Sequence, residues 1–220
     1  MYQNIATKVL TGEVRLSYAN LTTPQTPLQG GEPKYSVTLL IPKTDTATVA
    51  DINASMQAAY NDGVSKKWGG ARPTPRAILH DGDGLRQSGS PYGDECKGHW
   101  VLTASSINKP QVVGIDNIAC ELAPTDIYSG MFARVTINFY AYDTAGGKGV
   151  ACGLGNVMKT RDGEPLSGGA SAAADFEGIG QSFTAVPQQP AQTYQPQFTA
   201  MPQQPAQNRP AVNPITGQPW

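Results

Sequence analysis

The chain has 220 residues, with 16 Lys and Arg against 17 Asp and Glu and a formal net charge of −1. Only 15% of the residues are charged, while 24 are Gly and 18 are Pro; this argues against a charge-laced helical bundle or coiled coil and for strands, loops and a biased segment. Near-neutrality excludes coating nucleic acid by bulk charge, and leaves a binder whose cations gather in one groove.

Taken in chain order, the first residues carry no basic segment followed by an apolar one. No run approaches the ~18 apolar residues that cross a bilayer. Residues 8–18 alternate, with Leu10, Val14, Leu16 and Tyr18 on one parity and Thr11, Glu13, Arg15 and Ser17 on the other. That period of two predicts a half-buried strand with Tyr18 on its apolar face. Residues 20–33 hold three Pro and two Gly and read as a long loop. Residues 34–41 alternate again, placing Tyr35, Val37, Leu39 and Ile41 on one face before Pro42 ends the run. Thr44 or Asp45 then caps a helix whose apolar stripe is Val49, Ile52, Met56 and Tyr60. Gly63 weakens this helix and Gly69 with Gly70 closes it.

Further on, residues 100–106 form a strand with Trp100, Leu102 and Ala104 on one parity. Residues 131–142 form the clearest strand. Its apolar face is Met131, Ala133, Val135, Ile137, Phe139 and Ala141, and its other face is Phe132, Arg134, Thr136, Asn138, Tyr140 and Tyr142. A last strand runs near residues 149–158 and ends before a turn at Asp162 and Gly163. About five strands with one helix and long loops predict a small Greek-key barrel of the mainly β class.

Enzyme chemistry finds little support. His80 and His99 are the only histidines, and neither stands in a triad or HExxH pattern. Cys96 and His99 have C-x2-H spacing without a second pair, short of a zinc set. Three widely spaced cysteines, Cys96, Cys120 and Cys152, fit a reducing cytoplasm. Asp81-Gly-Asp83-Gly84 starts like a calcium loop but continues with Leu85 and Arg86, so a turn is expected. Gly146 to Gly149 is expected to be a hairpin turn rather than a phosphate cradle. No catalytic residue, metal or cofactor is expected.

A basic and aromatic constellation is more informative. Between Gly63 and His80 there is no acid, and Lys66, Lys67, Arg72 and Arg76 cluster around Trp68. The row of Phe132, Arg134, Tyr140 and Tyr142 sets aromatic faces beside a fixed cation. Single-stranded nucleic acid uses that combination of cations along its backbone and aromatics under its bases.

Residues 181–220 differ from the rest, with ten Gln, eight Pro and Arg209 as the sole charged side chain. The segment FTAVPQQPAQ at 183–192 returns as FTAMPQQPAQ at 198–207. Such composition cannot build a packed core and predicts a disordered tail over 168–220, following a domain over 1–167.

The run IYSGMFAR at 127–134, then Phe139, Tyr140, Ala141, Tyr142, Gly147, Lys148, Gly149 and Val150, resembles the second half of bacteriophage single-stranded-DNA-binding proteins of the OB-fold type, T7-like proteins among them. TGEVRLSY at 11–18 and KYSVTLLIPK at 34–43 agree with it. The likeness covers about residues 5–168. It implies one OB-fold domain that binds single-stranded DNA without sequence preference during replication or recombination in the host cytoplasm. Under that resemblance Lys34, Lys66, Lys67, Arg72, Arg76 and Arg134 would meet phosphates, and Trp68, Tyr140 and Tyr142 would stack bases. The family commonly uses its tail to contact replication or recombination proteins; here Phe198 and Trp220 are the expected contacts. This tail departs from the frequent acidic pattern, so competition with DNA for the groove is not expected. Oligomeric state is left open, and no membrane partner is expected. The alternative is a virion structural or decoration protein, a β-domain on a Pro/Gln-rich stalk.

Overall fold

The computed structural model describes residues 2–27 and 30–166; the tail and its Phe198 and Trp220 lie outside them. Alternating side chains produce nine strands among the described residues: β1 (Lys8–Leu10), β2 (Val14–Gln25), β3 (Lys34–Pro42), β4 (Leu79–Asp81), β5 (His99–Ser106), β6 (Val112–Gly114), β7 (Asn117–Glu121), β8 (Phe132–Thr144) and β9 (Gly147–Arg161). One α-helix, α1 (Thr46–Asp62), joins β3 to β5 by way of β4.

Five of the strands close on themselves. β2 pairs with β3, β3 with β5, β8 with β9 and β2 with β8, all antiparallel. The ring is completed by a parallel contact of β5 with β9 at Ser105 and Gly153. Numbered by chain order, the barrel strands run 1-2-3-5-4 around the circumference, an OB-type Greek key. Closure leaves the inside to one parity: Val14, Leu16, Val37, Leu39, Ile41, Leu102, Ala104, Val135, Ile137 and Phe139 are all buried in one cluster. Each such Leu, Ile or Phe contributes about 1.5–3 kcal/mol of burial.

The helix begins where Asp45 accepts a hydrogen bond from the Thr48 backbone N–H at 3.0 Å. Thr48 Oγ1 in turn accepts from the Gly12 N–H at 2.8 Å, which ties the helix start to the turn between β1 and β2. The buried residues of the helix are Thr48, Ile52, Ser55 and Ala59. The expected stripe is therefore rotated, with Val49, Met56 and Tyr60 half-buried at its margin. After Asp62 the chain does not stop but widens into a π-type turn, Gly63–Lys67.

Two expectations about the first strands are corrected. The run over 8–18 is two strands, because Thr11 turns inward and its hydroxyl accepts from the Val135 N–H. Residues 20–25 continue β2 rather than looping. Within β2, Ser17 faces Thr38 and Asn20 faces Ser36, so three steps on β2 match two on β3. This one-residue bulge resets the parity, returning Ala19 and Leu21 to the core. Tyr18 is the residue displaced. It has φ +48° and is 64% exposed, instead of lying on the apolar face. A left-handed backbone at a non-glycine residue costs about 1–2 kcal/mol.

The Asp81–Gly84 segment is a turn, as expected. Its Asp81 and Asp83 carboxylates accept hydrogen bonds from Lys43 Nζ at 2.5 and 2.7 Å. The ammonium holds both carboxyls below the usual aspartate range. β8 and β9 meet through a tight turn at Ala145 and Gly146, with Thr144 paired to Gly147.

Candidate nucleic-acid interface

The outside of the barrel is formed by the opposite parity, and it divides into two halves. Toward the ends of β3 and the start of β5, Leu40 and Val101 are covered by Cys96, Tyr92 and Leu166 in a second apolar cluster. Toward the other end of the same strands, small polar residues replace them. Ser36 pairs across to Ser105, and Thr38 to Thr103, with the two threonine hydroxyls 3.1 Å apart on the surface.

The polar floor continues onto β9 and β8. Gly153 lies opposite Asn138, and a Cβ on Gly155 would fall 2.4 Å from Thr136 Oγ1. Glycine is required there for the two strands to sit side by side. A groove results, lined by Ser105, Ser106 and Ile107 from the end of β5, Thr136, Asn138 and Tyr140 from β8, Gly153 and Gly155 from β9, and the side chains of Lys8 and Lys34. Tyr140 is 44% exposed and leans along its strand over Gly153, where an added Cβ would meet its ring at 3.4 Å. Two lysines, one exposed aromatic ring and a floor of hydroxyl, amide and glycine groups can accept a polyanion carrying flat bases.

Lys34 and Tyr140, two of the residues singled out in the sequence, are thus brought to one groove. Lys8 is a rim residue that sequence reasoning missed; its only signal was its position at the start of an alternating strand. Its ammonium is held over the Tyr2 ring, 5.3 Å from the centroid, and donates to Gln3 at 2.7 Å. Arg134 stands further along the outer row of β8, anchored by Nε donating to the Thr11 carbonyl at 3.0 Å. Phe132, at the start of that row, is covered by guanidinium groups: Arg161 lies 3.4 Å and Arg15 5.9 Å from its ring centroid. Glu13 accepts from Arg161 at 2.9 Å, which holds its carboxyl below the usual range.

The cluster around Trp68 is arranged differently from the expectation. Trp68 is 3% exposed. Its indole N–H donates to the Tyr142 carbonyl at 2.9 Å, and its ring meets Tyr60 edge-on at 5.3 Å. A Cβ on Gly63 would lie 2.6 Å from the indole, so the π-type turn leaves room for tryptophan only through that glycine. Trp68 closes the end of the helix against β8, and as a stacking surface it is corrected to a core residue. The acid-free window also hides a partner just outside it, since Lys66 pairs with Asp62 at 2.9 Å. Lys67 Nζ donates to the Ala141 carbonyl at 3.0 Å, which sets it one residue beyond Tyr140 on β8. Tyr142 is half-buried over Gly149 of the paired strand. Arg72 is exposed, and Arg76 lines a separate depression between α1 and the chain before β4.

Among the described residues no group of three or more His, Cys, Asp and Glu could hold a metal ion. Cys96 is buried, and His99 Nδ1 lies 2.7 Å from the Lys97 carbonyl. No helix among the described residues is long and apolar enough to cross a membrane.

The chain is similar to the single-stranded DNA-binding protein of bacteriophage Enc34 in complex with ssDNA, with 29% identity and a TM-score of 0.63 over 73% of this chain and 89% of the other. It is 29% identical to putative protein p50 of Acyrthosiphon pisum secondary endosymbiont phage 1, over 76% of this chain and 91% of that protein. It shares the fold of gp2.5, the single-stranded DNA-binding protein encoded by bacteriophage T7, at 18% identity and a TM-score of 0.51, over 76% of this chain and 93% of the other. Residues 7–186 match the family described as Enterobacter phage Enc34, ssDNA-binding protein, and the chain belongs to that family.

Proposed function

We propose that this protein binds single-stranded DNA along the outside of its barrel, without sequence preference, in phage DNA replication or recombination. The observation that carries the reading is the groove in which Lys8, Lys34 and Tyr140 surround a floor of Ser, Thr, Asn and Gly residues. Lys34 neutralises phosphate and Tyr140 stacks a base. Arg134 and Tyr142 extend the row along β8, while Lys66, Lys67 and Arg72 supply weaker charge where β8 meets the π-type turn. Arg76 lies off this track. The lysine contacts go to phosphate and the tyrosine contact to a base face, so they position the strand rather than read it. In the tail, Phe198 and Trp220 serve as contacts for replication or recombination proteins. The catalytic machinery of a nuclease is no part of this reading.

Fluorescence anisotropy of a labelled oligo-dT, repeated with a mixed-sequence strand and with the corresponding duplex, tests the proposal. Comparable affinity for both single strands and weaker affinity for the duplex is the expected result. Equal or tighter binding to the duplex, or no binding to either single strand, would refute it.

A further inference from the structure

The bulge in β2 returns Ala19 and Leu21 to the core. In doing so it pushes one aromatic ring outward. Tyr18 is 64% exposed, sits at φ +48°, and among the described residues its hydroxyl has no hydrogen-bond partner. Strain of this kind at a bulky residue persists where the protein uses it.

The register shows where the ring stands. Tyr18 falls between the pairs Ser17 with Thr38 and Asn20 with Ser36, and those β3 residues pair onward with Thr103 and Ser105 of β5. Ser105 is already a wall of the groove that holds Tyr140. Tyr18 and Tyr140 therefore stand at the two ends of one polar strip that follows the strand pairing from β2 over β3 and β5 to β9 and β8.

We propose that Tyr18 is a base-stacking residue at the far end of the single-stranded DNA track, thrown out of the core by the bulge for that purpose. This rests on the DNA-binding reading above and extends its footprint from the Lys34–Tyr140 groove across β5 and β3 to β2. The bulge fixes the ring at the surface in advance, so little side-chain freedom is lost when a base covers it.

The test compares wild type, Tyr18→Phe, Tyr18→Ala and Tyr18→Gly on oligo-dT and on an abasic strand of equal length. Tyr18→Ala should weaken oligo-dT binding on the order of ten-fold, leave the abasic strand unaffected, and be rescued by Tyr18→Phe. Tyr18→Gly should lose the same affinity while melting no lower than wild type, since glycine accepts this backbone freely. Unchanged oligo-dT affinity in Tyr18→Ala, an equal loss on both strands, or altered self-association with intact DNA binding would overturn the assignment. Wild type that bound neither strand would overturn the DNA-binding reading, and this one with it.

Discussion

Trp68 and Tyr18 are aromatic residues in opposite predicaments. The tryptophan stands among four cations in a window without acids, yet it is buried under the end of α1 with its indole N–H satisfied by Tyr142. The tyrosine falls on the apolar parity of a strand, yet it is pushed into solvent by a single extra residue. Neighbouring charge therefore says little about whether an aromatic ring is free to stack. What decides is whether the local backbone offers a cavity, as Gly63 does for Trp68, or removes one, as the bulge does for Tyr18.

That contrast is broken most severely at Trp68. Tryptophan to alanine in a closed core costs roughly 3–5 kcal/mol, so Trp68→Ala should show a large drop in melting temperature. Its remaining folded fraction should bind oligo-dT nearly as wild type does, as measured by active-fraction titration. Tyr140→Ala should do the reverse, leaving the melting temperature in place while weakening binding by about 1–3 kcal/mol. If Trp68→Ala instead abolished binding without unfolding, the division between core and interface drawn here would be wrong.

The lysines sharpen the same comparison with a smaller effect. Lys34→Gln should flatten the slope of log affinity against log salt by about 0.7, one phosphate contact on a single strand. Lys66→Gln should change it less, because Asp62 already shares that ammonium and exposed pairs of this kind are worth about 0–1 kcal/mol. Equal effects at the two positions would place the phosphate track over the π-type turn as much as over the groove.

The smallest effect is expected away from both regions, at Lys43. Asp81 and Asp83 titrate below their ordinary value because Lys43 bonds to both. Their contribution is therefore complete above the unfolded aspartate pKa of about 3.9 and is lost as the pH falls through the lowered folded values. Melting curves of wild type and Lys43→Met should converge as the medium is acidified from about pH 5 to about pH 2. Curves that stayed parallel would show that the clasp has no role in stability.

Much of the fold was legible in the sequence because alternation reports burial directly. β3, β5 and β8 lie within a residue or two of where the pattern put them, and Asp45 caps α1 as expected. β7 escaped notice because it is exposed along its whole length, so no apolar parity marks it, and β4 and β6 because three residues each are too short to show a period. The division of 8–18 and the bulge were equally invisible, since Thr11 turns inward only because the Val135 N–H on the adjacent β8 needs an acceptor. At the candidate interface, Lys34 and Tyr140 could be picked out by residue type. Lys8 and Tyr18 could not, because a ladder pairing brings one to the groove and a register shift exposes the other.

The most direct test of the account is the salt dependence of wild-type binding to oligo-dT beside a duplex of the same length. Wild type should bind the single strand tightly at about 50 mM salt, with a log–log slope near −0.7 for each phosphate contacted, and the duplex more weakly. No single-strand binding at that salt, or binding indifferent to salt, would contradict it.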